Sequence, residues 1–569
     1  MILNLPKEIS FLDLQKFNFG DVEANNDDLL IDSVCRTNAI IEFLRGKKNI
    51  VLGEKGTGKT AIFRLLREGK LSFNAKNGFT NLLIPIADNF QYKNIKDKVL
   101  KLVSTETQDE SFKYQVVWEL FIFFKIIQKV QSTNLQLTSI LKEAKNLLDN
   151  IFSSNGLESF LKNKQTLGIK LYDTPTSILP DFYFISEPIV QAKEIKESSV
   201  GKLEIDLDKY KTEINKFLIQ NELNVIILID RLDEFVSQSI VEIQLKLLQA
   251  LISVEREYET LSNIEIKFFL RDDLFKQLSF ENIGGYDKVI SKKIDLSWSA
   301  ENIREFIAKR IYSNYKQVFN ISSLKVVVDT KSLEIDTSLD NQQKRKLSLW
   351  NRIKKHFLKK FNPIEYEQKF PRKTNLDDDI NKQLIATLFP DHVCFKNEEG
   401  KVETISLSEF FANNFNLGTK NSIPRLILLF LEKLISVTTD YYLRNSDQVP
   451  IKQNEKNRFE LINEGFFEQA YTTFKKEIFT NFSKLNPDFE RKMGLFKEKI
   501  GNRYSFRAKE LKSLLGFIDD DELYHFCNYM LHIGVFERTN SSTTIENMKF
   551  ELPLIFRNIK NEMPTRRYN

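Results

Sequence analysis

Cysteine, histidine and glycine are all scarce in this chain of 569 residues, and each shortage removes a class of function. The three cysteines, Cys35, Cys394 and Cys527, stand far apart in apolar surroundings. That excludes a disulfide framework and suits a reducing cytoplasm, where the protein is expected to reside. The four histidines are His356, His392, His525 and His532. His525 and Cys527 are close in sequence, but nothing beside them completes a zinc ligand set, and core or surface roles are expected. The opening Met1-Ile2-Leu3-Asn4-Leu5-Pro6-Lys7-Glu8 lacks the long apolar stretch of a signal peptide. Runs such as Leu120-Phe121-Ile122-Phe123-Phe124 meet a charge within one or two turns, so no membrane span or membrane partner is expected. Nor does one sign of charge dominate. The 83 Lys and Arg against 78 Asp and Glu leave +5, which permits a nucleic-acid partner without arguing for one. Apolar content of 42% is that of a soluble globular protein, and the length predicts two to four domains.

Against 19 glycines in the whole chain, three fall between positions 53 and 58. Gly53-Glu54-Lys55-Gly56-Thr57-Gly58-Lys59-Thr60-Ala61 fits the Walker A pattern G-x-x-x-x-G-K-[ST]. Ile50-Val51-Leu52 before it reads as a short buried strand, and the residues from Ala61 to Leu66 as the start of an amphipathic helix. A phosphate cradle needs that order, because glycines let backbone N–H groups converge on phosphate oxygens at a helix N-terminus. Residues 53–61 are therefore the candidate ATP-binding residues. Lys59 would reach the β- and γ-phosphates, and Thr60 would hold Mg²⁺.

The partner motif is Asn224-Val225-Ile226-Ile227-Leu228-Ile229-Asp230-Arg231-Leu232-Asp233-Glu234, a continuous apolar run ending in acids. It reads as a buried parallel strand, of Walker B type, whose carboxyl end faces a ligand. Asp230 would bind Mg²⁺ through water. Asp233 or Glu234 would polarise the attacking water, with Glu234 preferred; both can equally cap and open a helix. A further strand, residues 264–270, ends in Arg271-Asp272-Asp273. Its tip should lie beside the Walker B tip, so that Arg271 either senses the γ-phosphate or pairs locally with Asp272 or Asp273. The strand at 81–87 contains Pro85, which favours a sheet edge. With Lys293-Ile294-Asp295-Leu296 as the last strand, the pattern predicts an α/β P-loop core with a parallel sheet.

The rest of the chain is read around that core. Residues 1–104 hold its first part, 105–220 a helical insertion, 221–315 its remainder, 316–457 a lid or helical region, and 458–569 a long helix plus a winged-helix domain. Asp27-Asp28 are expected to cap a helix reaching about Phe43. The lead-in at 17–48 would either cover a base or pack on the sheet. Residues 344–360 are basic with interleaved apolar residues, consistent with a nucleic-acid-facing helix or with a solvated lysine face balanced by Asp377-Asp378-Asp379. Ser422 is expected to cap a helix that opens with Pro424. Arg425 then projects from a helix N-terminus, where a cation is unfavourable unless an anion approaches. After a long helix at 459–482, helices at 505–515 and 519–533 followed by a hairpin make the winged-helix pattern. Asp519, Asp520, Asp521 and Glu522 open its presumed recognition helix, so packing or protein interaction is preferred there to DNA binding.

The chain resembles a bacterial family of P-loop ATPases in the AAA+/STAND branch. The resemblance rests on Phe19-Gly20-Asp21-Val22-Glu23-Ala24-Asn25-Asn26-Asp27 and on Ile229-Asp230-Arg231-Leu232-Asp233-Glu234. It continues through Phe269-Leu270-Arg271-Asp272-Asp273-Leu274-Phe275, Leu296-Ser297-Trp298-Ser299 and Ile423-Pro424-Arg425. The chain departs from the pattern at Arg231, where the usual glutamate follows the Mg²⁺-binding aspartate, and at Ile423, where the family has an arginine. The resemblance implies ATP binding, slow Mg²⁺-dependent hydrolysis, Arg425 as a lid residue reaching the phosphates, and a winged-helix tail. Relatives in phage-defence regions extend the expectation to a nucleotide-gated switch acting on copies of itself or on an effector protein. The alternative expectation is an ATP-gated DNA-binding protein of the origin-binding kind.

Overall fold

The apolar runs read as buried strands do pair into one parallel sheet. Its strands are β1 (Ile50–Gly53), β2 (Thr80–Ile86), β3 (Leu223–Ile229), β4 (Ile264–Arg271) and β5 (Lys293–Asp295), in the order β5-β1-β4-β3-β2. Every pairing in it is parallel. β1 and β3 are buried along their whole length, as strands covered on both faces must be. Pro85 cannot donate to a ladder, and β2, which contains it, takes an edge. From β1 the chain crosses to the far edge, returns through β3 and β4, and then passes to β5 on the other side of β1. The carboxyl ends of β1 and β4 therefore flank a topological switch point, where open α/β sheets bind their ligands.

In the computed structural model the described residues are 2–3, 8–87, 110–152, 166–170, 182–184, 202–232, 241–278, 286–320, 324–328, 331–335, 374–396, 402–417, 422–445, 451–452, 459, 461–484, 486–501, 503–540 and 544–557. They divide into two compact units. The sheet belongs to one, residues 40–54 and 62–295; the other comprises 1–39, 55–61 and 296–569.

Helix α1 (Lys59–Arg67) follows the P-loop and, from residue 62 on within the sheet unit, buries Ile62, Phe63, Leu65 and Leu66. Helices α2 (Glu110–Gln131), α3 (Leu207–Gln220) and α4 (Val241–Tyr258) pack against the strands. A buried charge group ties the three together. Lys211 of α3 lies 2.5 Å from Glu119 of α2 and 3.5 Å from Glu257 of α4. Burial pushes the Glu119 carboxyl well above the usual carboxylate range. The approach to β1 is fixed by Lys267 of β4, whose Nζ donates to the Lys48 carbonyl at 3.0 Å and to Asn49 Oδ1 at 2.8 Å. Burial draws that ammonium down from its usual value, partly offset by Glu265 beside it. The segment expected to be a mostly helical insertion, 105–220, also contains a three-stranded sheet of residues 166–170, 182–184 and 202–206.

The second unit is dominated by phenylalanine. Helix α5 (Ala300–Phe319) starts in a capping box between Ser299 and Asn302. Helices α6 (Pro424–Asn445) and α7 (Glu464–Ser483) pack together through Phe430 and Phe467, whose ring centroids are 5.1 Å apart. Pro424 occupies the first turn of α6, where its missing N–H costs nothing. Three further helices, α8 (Pro487–Lys499), α9 (Ala508–Leu515) and α10 (Asp520–His532), accompany a small antiparallel sheet of β6 (Ser505–Arg507), β7 (Glu537–Arg538) and β8 (Lys549–Glu551) in the order β6-β8-β7.

Several local expectations need correction. The helix expected from Asp27 is a run of turns, with helix only over Asn38–Leu44. Asp27 Oδ1 accepts from Leu29 N at 3.1 Å, a bond that makes a turn, and the rest of its carboxylate is engaged elsewhere. Ser422 does not cap α6; its hydroxyl donates to the carbonyls of Phe411 and Ala412. The helix expected at 505–515 begins as strand β6, because Phe506 alternates inward and pairs with Phe550. The helix expected from 459 starts at Glu464, where Asn463 caps it. The basic segment 344–360 lies outside the described residues.

Candidate functional site

The P-loop backbone has the shape its letters predict. Gly56 and Gly58 sit at φ +90° and +101°, where a side chain would strain the chain. Lys59 and Thr60 open α1, whose first turn carries no acidic residue to occupy its N-terminal donors. Gly56 is also closely covered. A Cβ there would fall 2.8 Å from Ile423 Cγ2 and 2.9 Å from Arg425 Cβ, so the start of α6 lies directly on the loop. Among the described residues Arg425 has neither a hydrogen bond nor an ion pair. A guanidinium at a helix N-terminus with no described anion beside it is in conflict with the described surroundings, and a nucleotide phosphate would resolve the conflict.

In the sheet unit, Asp230 follows β3 and is 2% exposed; its N–H donates to the Ile86 carbonyl at 2.9 Å. Arg231, next along, adopts φ +58°. A non-glycine residue in the left-handed region is uncommon, and such residues gather at functional turns. Asp233 and Glu234 lie outside the described residues. Arg271 pairs in register with Gly53, which sets its backbone beside the start of the P-loop sequence. Its guanidinium forms a fork with Asp273, Nε to Oδ1 at 3.0 Å and Nη2 to Oδ2 at 2.7 Å. The local pair weighed from the sequence is thus present, with Asp273 and not Asp272 as the acceptor. Oxygen ligands such as the Thr60 hydroxyl and the Asp230 carboxylate are the hard donors Mg²⁺ takes.

Two residues of the second unit escaped sequence reasoning. Arg310, 1% exposed, grips Asp27 through Nη1 at 2.9 Å and Nη2 at 2.5 Å, and donates to the Phe19 carbonyl. Gly20, between them, leaves no room for a side chain: a Cβ would lie 1.7 Å from Arg310 Nη1. One turn on, Asn314 holds Asn18 by two hydrogen bonds, at 2.7 and 2.9 Å. The lead-in motif is therefore a clamp onto α5. The available signal was a charge at 310 on the stripe Ile303, Phe306, Ile307, Ile311. The second residue is Trp298, whose Nε1 donates to the Thr57 carbonyl of the P-loop at 2.9 Å.

No described helix is long and apolar enough to cross a membrane. No family model matches the chain, and no curated protein does. Among solved structures the chain is similar to the ORC2 protein of Aeropyrum pernix in its ADPNP–ADP complexes, with a TM-score of 0.32 and 10% identity over 89% of this chain and 83% of that one. Similarity of that size carries no argument for activity, and the α/β P-loop core described here stands on its strand order and its glycine turn.

Proposed function

We propose that this chain is a Mg²⁺-dependent ATPase of the AAA+/STAND kind, working as a nucleotide-gated switch. The observation that carries the reading is Arg425, without a partner among the described residues and lying on Gly56 of the P-loop. Residues 53–61 cradle the polyphosphate, with Lys59 on the β- and γ-phosphates. Thr60, and Asp230 through water, would hold Mg²⁺, which would neutralise charge on the β- and γ-phosphate oxygens. Glu234, or Asp233, polarises water for attack on the γ-phosphorus, and ADP and phosphate leave. Arg271 reports on the γ-phosphate if it exchanges Asp273 for it. Arg425 closes α6 over the nucleotide as a lid, and residues 487–557 form a winged-helix module that passes the change to a second copy or to an effector protein.

ATP turnover of the full chain tests this. Lys59→Ala and Glu234→Gln are each expected to lower kcat by about a hundred-fold or more, the scale of losing one group that acts in the transition state. Undiminished turnover in both variants contradicts the assignment. No turnover in the wild type, with ATP still bound, leaves a nucleotide-binding scaffold in place of an ATPase.

A further inference from the structure

The P-loop is held from outside by a residue that the phosphate-binding pattern does not include. Trp298 and Thr57 are 241 positions apart, yet the indole N–H reaches the Thr57 carbonyl at 2.9 Å. The peptide joining Thr57 to Gly58 is trans, and in a trans peptide the C=O and N–H point in opposite directions. With the carbonyl fixed on Trp298, the Gly58 N–H is turned to the other side of the loop. That N–H immediately precedes Lys59, and it belongs to the set of donors from which a phosphate nest is made. A flip of this one peptide would present a carbonyl oxygen to the phosphate, and glycines at 56 and 58 make such a flip easy.

The donor is itself braced. The Trp298 ring meets Phe306 edge-on, with centroids 5.6 Å apart and planes at 69°. Phe306 in turn lies under the Arg310 guanidinium, 5.0 Å from its ring centre. Trp298 Cζ2 is 3.9 Å from where a Cβ on Gly58 would stand, so the indole lies along the loop as well as bonding to it. None of these contacts requires a nucleotide.

We propose that Trp298 is a positioning residue for polyphosphate: its N–H pins the Thr57–Gly58 peptide in the binding orientation before ligand arrives. This rests on the reading of residues 53–61 as an ATP site. A contact that organises the empty loop contributes to ground state and transition state alike, so its loss raises KM and leaves kcat in place. One neutral hydrogen bond corresponds to about a five-fold change in affinity.

The test titrates full-length wild type and Trp298→Phe with ATP and, separately, with inorganic tripolyphosphate, both with Mg²⁺. Phenylalanine keeps an aromatic ring against Phe306 and removes the donor together with the outer atoms of the indole. Both ligands are expected to weaken by the same factor, about five-fold, with KM rising in step and kcat held. Equal affinities in the two proteins overturn the proposal. So does a loss confined to ATP, since the contact touches the phosphate-binding peptide and not a base. Should Trp298→Phe fail to fold, Phe306→Leu loosens the brace and is expected to weaken both ligands by about two-fold; unchanged affinity there overturns the proposal as well. A wild type that binds neither ligand removes the ATP site itself, a result distinct from all of these.

Discussion

Two arginines of the second unit, Arg310 on α5 and Arg425 on α6, have opposite circumstances. Arg310 is buried, and its two Nη groups are taken by Asp27 and the Phe19 carbonyl. Arg425 sits at a helix start on the P-loop with no hydrogen bond or ion pair among the described residues. A charge paired inside the chain has a structural task, whereas one beside the P-loop without a partner among the described residues is, on the proposed function, arranged for a ligand. Lys475 of α7 stands between them: nearly buried, it donates to one carbonyl, that of Arg557 at 3.1 Å, and lies 5.0 Å over the Tyr471 ring.

The largest effect is expected at Arg310. Arg310→Met leaves the Asp27 carboxylate buried without its partner and should cost about 3–5 kcal/mol of stability in urea unfolding. Adding Asp27→Leu should recover part of that loss. If Arg310→Met melts like the wild type, the contrast between the two arginines collapses. Arg425→Ala should do the reverse, lowering ATP affinity about ten-fold or more while the ligand-free unfolding midpoint stays within about 0.5 kcal/mol. A large loss of stability in that variant would make Arg425 a second Arg310.

The smallest effect concerns Lys475, whose ammonium is drawn by burial from the usual 10.5 down to about 8. Below pH 8 the lysine is charged in both folded and unfolded chains, so the burial penalty is fully present. Between about 8 and 10.5 the unfolded chain holds the extra proton, and this residue's contribution to stability improves as pH rises. Lys475→Met should therefore be more stable than wild type by about 1 kcal/mol at pH 7. That advantage should shrink by pH 10 in paired melting curves. An advantage independent of pH would mean the ammonium is already well compensated.

What could be read from the sequence followed from how local each signal is. The glycines of the P-loop encode backbone angles at their own positions, and Pro85 encodes an edge by what it cannot donate. Arg310 was illegible because its carboxylate partner lies 283 residues away. Trp298 stood in the sequence only as part of a resemblance, and its role appears when Thr57 is brought beside it. Ser422 had the right residue type for a cap, but two carbonyls of a preceding helix and its C-terminal end claimed the hydroxyl. Phe506 was misread because three residues are too few for alternation to outweigh the helical pattern that follows.

Calorimetric titration of ATP with Mg²⁺ into the full chain, its Lys59→Ala variant and its Arg425→Ala variant tests the central claim most directly. One ATP should bind per chain in the wild type, about ten-fold or more weaker with Arg425→Ala and weakest with Lys59→Ala. Absence of binding in the wild type, or the same affinity in all three proteins, would contradict a nucleotide site built on Gly53–Thr60 and completed by Arg425.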